Sequence, residues 1–223
     1  MLSNDNVRGI FWSKRSTILA DIVLVIFLIF SVSLNARGQV YKDRDSVRIL
    51  FIGNSLTYTN NLPLLVKEEA RQIGVTVDFE MYAFPNYAIE DHWREGRVQS
   101  LIRDGNFDFV ILQQGPSSQA EGRNMLIEYG KKFAELCRIS RTKLCYLMVW
   151  PSLDYYRTFD GVIKNHRDAA RINDAIILPV GAAWKEYFEI TENFDFYGPD
   201  GFHPSQKGSA KAAEVIAEHL FSN

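Results

Sequence analysis

The chain has 223 residues, of which 47% are hydrophobic and 23% are charged, a composition typical of a globular protein with one substantial core. Its formal net charge is -2 and its sequence pI is about 6.1, so it lacks the strongly basic character of nucleic-acid-binding proteins. These values argue against a nucleic-acid partner and against a second full domain.

The first forty residues differ in kind from the rest of the chain. Basic residues precede an almost unbroken apolar run from Ile22 to Leu34, and a small residue, Ala36, follows it. The run is shorter than the roughly 20 residues that a membrane-spanning helix needs. The pattern therefore predicts a cleaved signal peptide within residues 1–40, with a membrane tether through residues 16–35 as the alternative.

The remaining residues, 41–223, are predicted to form one domain outside the cytoplasm, either periplasmic, secreted or anchored and facing outward. Strand-like runs occur at 47–53, 75–83, 107–114, 143–150 and 175–181. Helical patterns occur at 62–73, 89–104, 119–139, 161–172 and 205–221. Several strand runs are apolar on both faces, as a buried parallel sheet requires. We therefore predict an α/β fold, a flavodoxin-like three-layer α/β/α sandwich around a parallel five-stranded sheet.

The end of the first predicted strand carries a serine in an unusual place. Open parallel sheets bind ligands beyond the carboxyl ends of their strands, and the stretch "GNSLT" places Ser55 there. A serine in such a turn suits a nucleophile whose product is stabilised by nearby backbone N–H groups. The alternative is that Ser55 is a helix N-cap, a common role for serine.

A histidine that suits such a serine lies near the C-terminal end. In "GPDGFHPS", Asp200 and His203 are separated by two residues. This spacing lets the carboxylate orient one ring nitrogen while the other faces a hydroxyl, which is how serine is activated as a nucleophile. The alternative for His203 is an ordinary loop histidine.

Together, "IGNSLT" and "DGFHPS" resemble the first and last sequence blocks of the SGNH hydrolases, also called the GDSL family. The resemblance spans roughly residues 47–221, with Asn54 where the family more commonly has Asp. It implies a hydrolase acting on ester bonds in which Ser55 is the nucleophile, His203 the general base and then acid, and Asp200 the residue that orients the imidazole. It implies no cofactor, and no metal-ligand spacing is found in the sequence.

The middle of the chain matches that family less well. The family takes further oxyanion donors from a glycine N–H and an asparagine side chain. Asn86 lies near the glycine position, and a backbone N–H survives that change. Gly115 fits the family's Gly-x-Asn, but Ser117 stands where asparagine is expected. Gln113 or Gln114 is predicted to supply an amide instead, with a hydrogen-bonded strand terminus as the alternative role for each.

The resemblance and the predicted export imply a serine esterase that removes a short acyl group, foremost acetyl, from a carbohydrate through an acyl-enzyme. Two alternatives stay open. One is an acyltransferase with the same triad and a sugar hydroxyl as acceptor, and the other is a non-catalytic carbohydrate-binding domain.

The remaining histidines and cysteines are predicted to be structural. His92 is assigned a structural or pocket-rim role, and His166 is predicted to be a solvated helix residue. Cys137 and Cys145 are predicted to be buried thiols rather than a disulfide. Four aromatic residues after strand ends either wall the substrate pocket or pack in the core: Trp150, Tyr155, Tyr156 and Trp184.

Overall fold

Five parallel strands form the centre of the molecule. In the computed structural model, which describes residues 46–222, they are β1 Val47–Gly53, β2 Val77–Ala83, β3 Phe109–Leu112, β4 Lys143–Leu147 and β5 Ile176–Leu178. They form one sheet in the order β2-β1-β3-β4-β5, and each neighbouring pair is parallel. The predicted fold class is confirmed.

Both faces of this sheet are buried, and β1 shows why. Successive side chains of a strand point to opposite faces, so Ile49 and Phe51 join one hydrophobic cluster while Leu50 and Ile52 join the other. All four side chains are fully buried. A strand that is apolar at every position needs a layer of helices on each side.

The helices supply those two layers. They are α1 Ser55–Tyr58, α2 Leu62–Gln72, α3 Ile89–Glu95, α4 Arg97–Asp104, α5 Ala120–Ile139, α6 Phe159–Ile172, α7 Val180–Thr191 and α8 Gln206–Phe221. Helices α2, α7 and α8 contribute buried residues to one cluster, and α3, α4 and α5 contribute to the other. The result is the predicted three-layer sandwich.

The strands predicted over 107–114 and 143–150 are shorter in the structure, the helix α7 was not predicted, and two further predicted elements differ in kind or extent. The helix predicted over 89–104 is two helices, because Gly96 adopts a left-handed conformation with φ 90 and ends α3. The strand predicted over 175–181 ends at Leu178, and α7 begins at Val180. A short apolar run does not by itself distinguish a strand from the start of a buried helix.

The predicted signal peptide or tether, residues 1–40, lies outside the described residues. Within residues 46–222, no helix combines the length and the apolar character needed to cross a membrane.

The two cysteines are buried free thiols, as predicted. Removal from water disfavours the thiolate, so burial raises the pKa of Cys137 to about 12 and also raises that of Cys145. Neither thiol is suited to nucleophilic chemistry at neutral pH.

His166 is buried in α6, so its predicted solvent exposure is wrong. Its Nδ1 lies 2.8 Å from the Val162 carbonyl oxygen, and its Nε2 has no hydrogen-bond partner among the described residues. Burial lowers the pKa of this imidazole to about 4, which outweighs the opposite effect of the hydrogen bond. The charged neighbours of His166 in the sequence suggested an exposed helix face, but the residue itself faces inward.

This buried histidine predicts acid sensitivity. Between pH 6.5 and about 4, the unfolded chain binds a proton at His166 that the folded chain does not, so the free energy of unfolding falls as the pH falls. The contribution approaches about 1.4 kcal/mol per pH unit within that window. We expect His166→Phe to flatten the decline measured by urea unfolding, relative to the unmodified chain. Equal slopes for the two proteins would contradict this assignment.

Candidate active site

Ser55 lies immediately beyond the carboxyl end of β1, and Asn54 forms the turn before it. The Asn54 Oδ1 atom accepts a hydrogen bond from the Leu56 N–H at 3.1 Å, which makes Asn54 the N-cap of α1. The Ser55 hydroxyl therefore does not cap the helix and is left for another partner.

That partner is His203. Its Nε2 lies 2.9 Å from Ser55 Oγ, and its Nδ1 lies 2.6 Å from Asp200 Oδ2. Ser55 and His203 are 148 residues apart in sequence. The loops that carry them thus meet at the carboxyl ends of the strands. A hydroxyl, an imidazole and a carboxylate in this order match the arrangement by which a serine is deprotonated during attack.

The Asp200 carboxylate is held in place by its own loop. Its second oxygen, Oδ1, accepts hydrogen bonds from the Phe202 N–H at 3.0 Å and the His203 N–H at 2.9 Å. The bond with the His203 ring, followed by that from the Phe202 N–H, lowers the pKa of Asp200 below its ordinary value. Gly201, with φ 66, provides the left-handed turn that closes this loop. Asp200 is consequently ionised at neutral pH and aligned with the ring.

A cavity of about 450 Å³ opens beside Ser55, between the ends of β1, β2 and β3. Three of the residues predicted to surround the oxyanion line this cavity: Asn86, Gln114 and Ser117. Gln113, the fourth, does not line it. Ser55 and most of the predicted donors therefore share one space large enough for a small acyl group.

Solved structures show what this arrangement is similar to, although no family model and no curated protein matches the sequence. A Slackia heliotrinireducens protein described as an SGNH hydrolase has a TM-score of 0.67 at 22% identity, over 79% of this chain and all 100% of that one. The lipase/acylhydrolase from Enterococcus faecalis has a TM-score of 0.60 at 16% identity, over 78% and 95% of the two chains. The family 3 carbohydrate esterase from Clostridium thermocellum has a TM-score of 0.56 at 14% identity, over 80% and 96%. The chain has the SGNH hydrolase fold.

Within this SGNH hydrolase fold, Asn86 occupies a left-handed turn with φ 63. Asparagine adopts that conformation more readily than most residues other than glycine, so the backbone geometry of a glycine position is preserved. The N–H groups of Asn86 and Ser55 donate to no other described residue. Two backbone donors belonging to cavity-lining residues are thus available to a ligand.

Gln113 lies outside the cavity beside Ser55, where an oxyanion donor was predicted. Its side chain is buried, and its Oε1 accepts hydrogen bonds from the Asn54 N–H at 2.8 Å and the Thr57 hydroxyl at 2.9 Å. Its Nε2 has no hydrogen-bond partner among the described residues. Since Asn54 and Thr57 flank Ser55, Gln113 braces the turn that carries Ser55 by holding both neighbours in place.

Gln114 is the glutamine on the cavity wall. Its Nε2 donates to Ser117 Oγ at 2.7 Å and, over a long distance of 3.4 Å, to the Gly122 carbonyl oxygen. The Ser117 hydroxyl in turn donates to the Gly115 carbonyl oxygen at 3.0 Å. Gln114 therefore has one firmly held N–H and one weakly held N–H at this wall.

Asn60 joins the two loops of the site, a role that sequence reasoning missed. Its Nδ2 donates to the Pro204 carbonyl oxygen at 3.0 Å and to Ser209 Oγ at 2.9 Å, and its Oδ1 accepts from Gln206 Nε2 at 2.9 Å. The adjacent asparagines Asn60 and Asn61 were the signal in the sequence, because asparagine adopts the left-handed conformation more readily than most residues. Both residues have that conformation in the structure. The bonds hold the segment after His203 against the segment after Ser55.

Most of the aromatic residues at the strand ends pack in the core. Trp150 and Trp184 are buried and stacked with ring centroids 3.6 Å apart, and the Trp150 indole N–H donates to the Phe202 carbonyl oxygen at 2.9 Å. Trp150 thereby holds the loop that carries His203. Tyr155 is the exception, because 61% of its surface is exposed.

His92 has the structural role predicted for it. It is buried, its Nε2 donates to the Gly53 carbonyl oxygen at 2.8 Å, and its ring packs against Tyr87 with centroids 5.0 Å apart. Desolvation lowers the pKa of this histidine, which keeps it neutral. His92 thereby fixes the end of β1 to the turn that carries Asn86.

Proposed function

We propose that the protein is a serine esterase that hydrolyses a short-chain ester, foremost an acetyl ester of a carbohydrate. The observation that carries the proposal is the 2.9 Å contact between Ser55 Oγ and His203 Nε2, with Asp200 bonded to the other ring nitrogen. The lipase and esterase names of proteins with the same fold support an ester as substrate.

The reaction follows from these contacts in two halves. Ser55 Oγ attacks the ester carbonyl carbon while its proton passes to His203 Nε2. The intermediate then expels the alcohol, whose oxygen takes that proton, and leaves an acyl group on Ser55. A water molecule next gives a proton to His203 and attacks the acyl carbon. Ser55 recovers the proton as the carboxylic acid departs, and Asp200 stabilises the imidazolium in both halves.

Three donors are assigned to the oxyanion that forms in each half. The N–H groups of Ser55 and Asn86 are two of them, because both are without another partner in the described chain. The third is Gln114 Nε2, whose bond to Gly122 is long enough to be exchanged for a stronger one to an anion. Gln114 thus takes the part played by the asparagine of the SGNH hydrolases.

Gln114→Ala is expected to lower kcat on the order of 10² to 10³-fold, the usual effect of losing one oxyanion donor. Gln114→Glu, which keeps the shape but removes the N–H donors, is expected to lose as much. The matched control is Ser117→Ala, for which a much smaller loss is expected. Steady-state kinetics on one acetate ester measure all three, and a larger loss for Ser117→Ala would assign the donor to the hydroxyl instead.

Three polar side chains in the wall of the cavity, which also contains apolar residues such as Met125 and Phe202, favour a short acyl group. Gln114, Ser117 and Glu121 all contribute to its wall. A long alkyl chain would strip water from the exposed Glu121 side chain without replacing its hydrogen bonds, at a cost of roughly 1–3 kcal/mol. The carbohydrate portion rests on a neighbour named as a carbohydrate esterase and on the export predicted from residues 1–40.

Labelling and hydrolysis together test the proposal. We expect a fluorophosphonate to modify the full chain once, at Ser55, and p-nitrophenyl acetate to be hydrolysed faster than p-nitrophenyl octanoate. Ser55→Ala should abolish the label and lower the turnover by roughly 10³-fold or more. An unlabelled, inactive chain would favour a binding domain, and preferential transfer of acetyl to an added sugar would favour an acyltransferase.

A further inference from the structure

A second cavity, of about 500 Å³, adjoins the one beside Ser55. Phe202, Pro116 and Gln119 line both cavities, and Tyr155 belongs to the second alone. We propose that this Tyr155 cavity binds the alcohol portion of the ester and selects a pyranose ring that stacks on Tyr155. The inference rests on the proposed esterase function and adds to it the place and the chemistry of the leaving group.

The Tyr155 cavity lies where the histidine loop meets the sheet. Its walls come from residues that follow β3 and β4, among them Pro151, and from Phe202 of the loop. The loop is held to the end of β4 by a hydrogen bond of 2.8 Å from the Leu153 N–H to the Gly201 carbonyl oxygen, and by the bond from Trp150 to Phe202. The cavity is therefore a fixed part of the fold next to Phe202, the residue that precedes His203.

The direction of proton transfer assigns the alcohol to this side. His203 must deliver its proton to the departing oxygen, so the alcohol leaves beside the histidine loop. The oxyanion donors, Asn86 and Gln114, line the other cavity, where the carbonyl oxygen and the acyl group belong. The two portions of an ester bound to Ser55 thus correspond to the two adjoining cavities.

The chemistry of the walls suits a sugar. The Tyr155 ring packs against no other aromatic ring in the described chain, whereas the neighbouring Tyr156 packs against Phe159 with centroids 5.1 Å apart. Pro116 and Phe202 add apolar surface, and hydroxyl groups come from Ser118, Ser152 and Thr158. None of the described residues around this cavity is charged. A neutral ring with apolar C–H faces and hydroxyl edges matches an exposed aromatic face bordered by such groups.

The test compares two acetates that differ only in the alcohol: a monoacetylated methyl glucoside and ethyl acetate. Tyr155→Ala is expected to lower kcat/KM for the sugar acetate about tenfold, chiefly through KM, and to leave that for ethyl acetate unchanged. Tyr155→Phe should keep most of the sugar activity. Arg157→Ala is the matched control, because Arg157 lies in the same 3-10 helix, Leu153–Thr158, but does not line the cavity.

Several results would overturn the inference. The pyranose would be removed from this cavity by any of three results: equal losses of Tyr155→Ala on both acetates, no loss on the sugar acetate, or better use of cyclohexyl acetate than of the sugar acetate. In each case, hydrolysis that depends on Ser55 would leave the esterase function standing. Calorimetric titration of the Ser55→Ala chain with methyl glucoside tests sugar binding separately from ester hydrolysis. If no ester is hydrolysed but the glucoside binds, and a Tyr155→Ala change weakens that binding, the esterase function fails and the sugar site remains.

Discussion

Ser55→Ala and His203→Ala are each expected to lower kcat for a short-chain acetate by roughly 10³-fold or more. Without Ser55 no acyl-enzyme forms, and without His203 no group within 2.9 Å of the hydroxyl takes its proton. Because the two residues act as one unit, the double variant should be no slower than either single variant. Thermal unfolding of each variant establishes that the fold is retained.

Asp200→Ala should cost less than His203→Ala. The imidazole loses its 2.6 Å partner, but the ring remains near Ser55 because Asn60 still holds the following segment. Asn86→Gly is the matched control, since glycine keeps the backbone N–H and suits the left-handed φ of 63. Activity close to that of the unmodified chain is expected for it. A loss as large as that of His203→Ala would overturn the assignment of roles.

The second large effect is expected from Gly53→Ala. A Cβ at this position would lie 2.4 Å from Gln113 Oε1 and 2.4 Å from Thr57 Oγ1, the two atoms whose hydrogen bond braces the nucleophile turn. Such contacts force these two side chains, and with them the turn that they hold, to shift. Overpacking of this kind costs about 1–3 kcal/mol of stability. Displacing Ser55 from His203 should in addition lower kcat about 10²-fold.

Gly74→Ala is the control that separates the loss of stability from the loss of kcat. Gly74 has φ 81, so alanine there is strained, but a Cβ would meet nothing within 4 Å. We expect Gly74→Ala to lower the melting temperature and to leave kcat unchanged. Gly53→Ala with unchanged kcat would show that the brace does not position Ser55.

The strand pattern and the two end blocks were readable from the sequence because they depend on local features. Burial on both faces makes β1 apolar at every position, and the two-residue spacing of Asp200 and His203 is a property of one short loop. The start of α7 was not readable, because a short apolar run fits a strand or a helix until its neighbours are known. The break at Gly96 was not readable for another reason: one glycine within a helical pattern is tolerated and does not by itself end the helix.

The different positions of Gln113 and Gln114 were decided only by the tertiary structure. Gln113 and Gln114 are adjacent after β3, and pairing with β1 determines that the first braces Asn54 while the second reaches the cavity. Gln113 and Gln114 have the same side chain, but successive residues of an extended chain point to opposite sides of the sheet. Their roles therefore follow from the register of β3 against β1 rather than from residue type.

The sequence by itself determined the fold class, and it predicted Ser55 as the nucleophile together with the loop that carries Asp200 and His203. Only the tertiary structure decided which side chains surround them, including the brace by Gln113, the bonds of Asn60 to the C-terminal segment and the exposure of Tyr155. The physical reason is the range of the interactions. Strand patterns and loop spacings act over a few residues, whereas these contacts join residues brought together only when the sheet and both helix layers have packed.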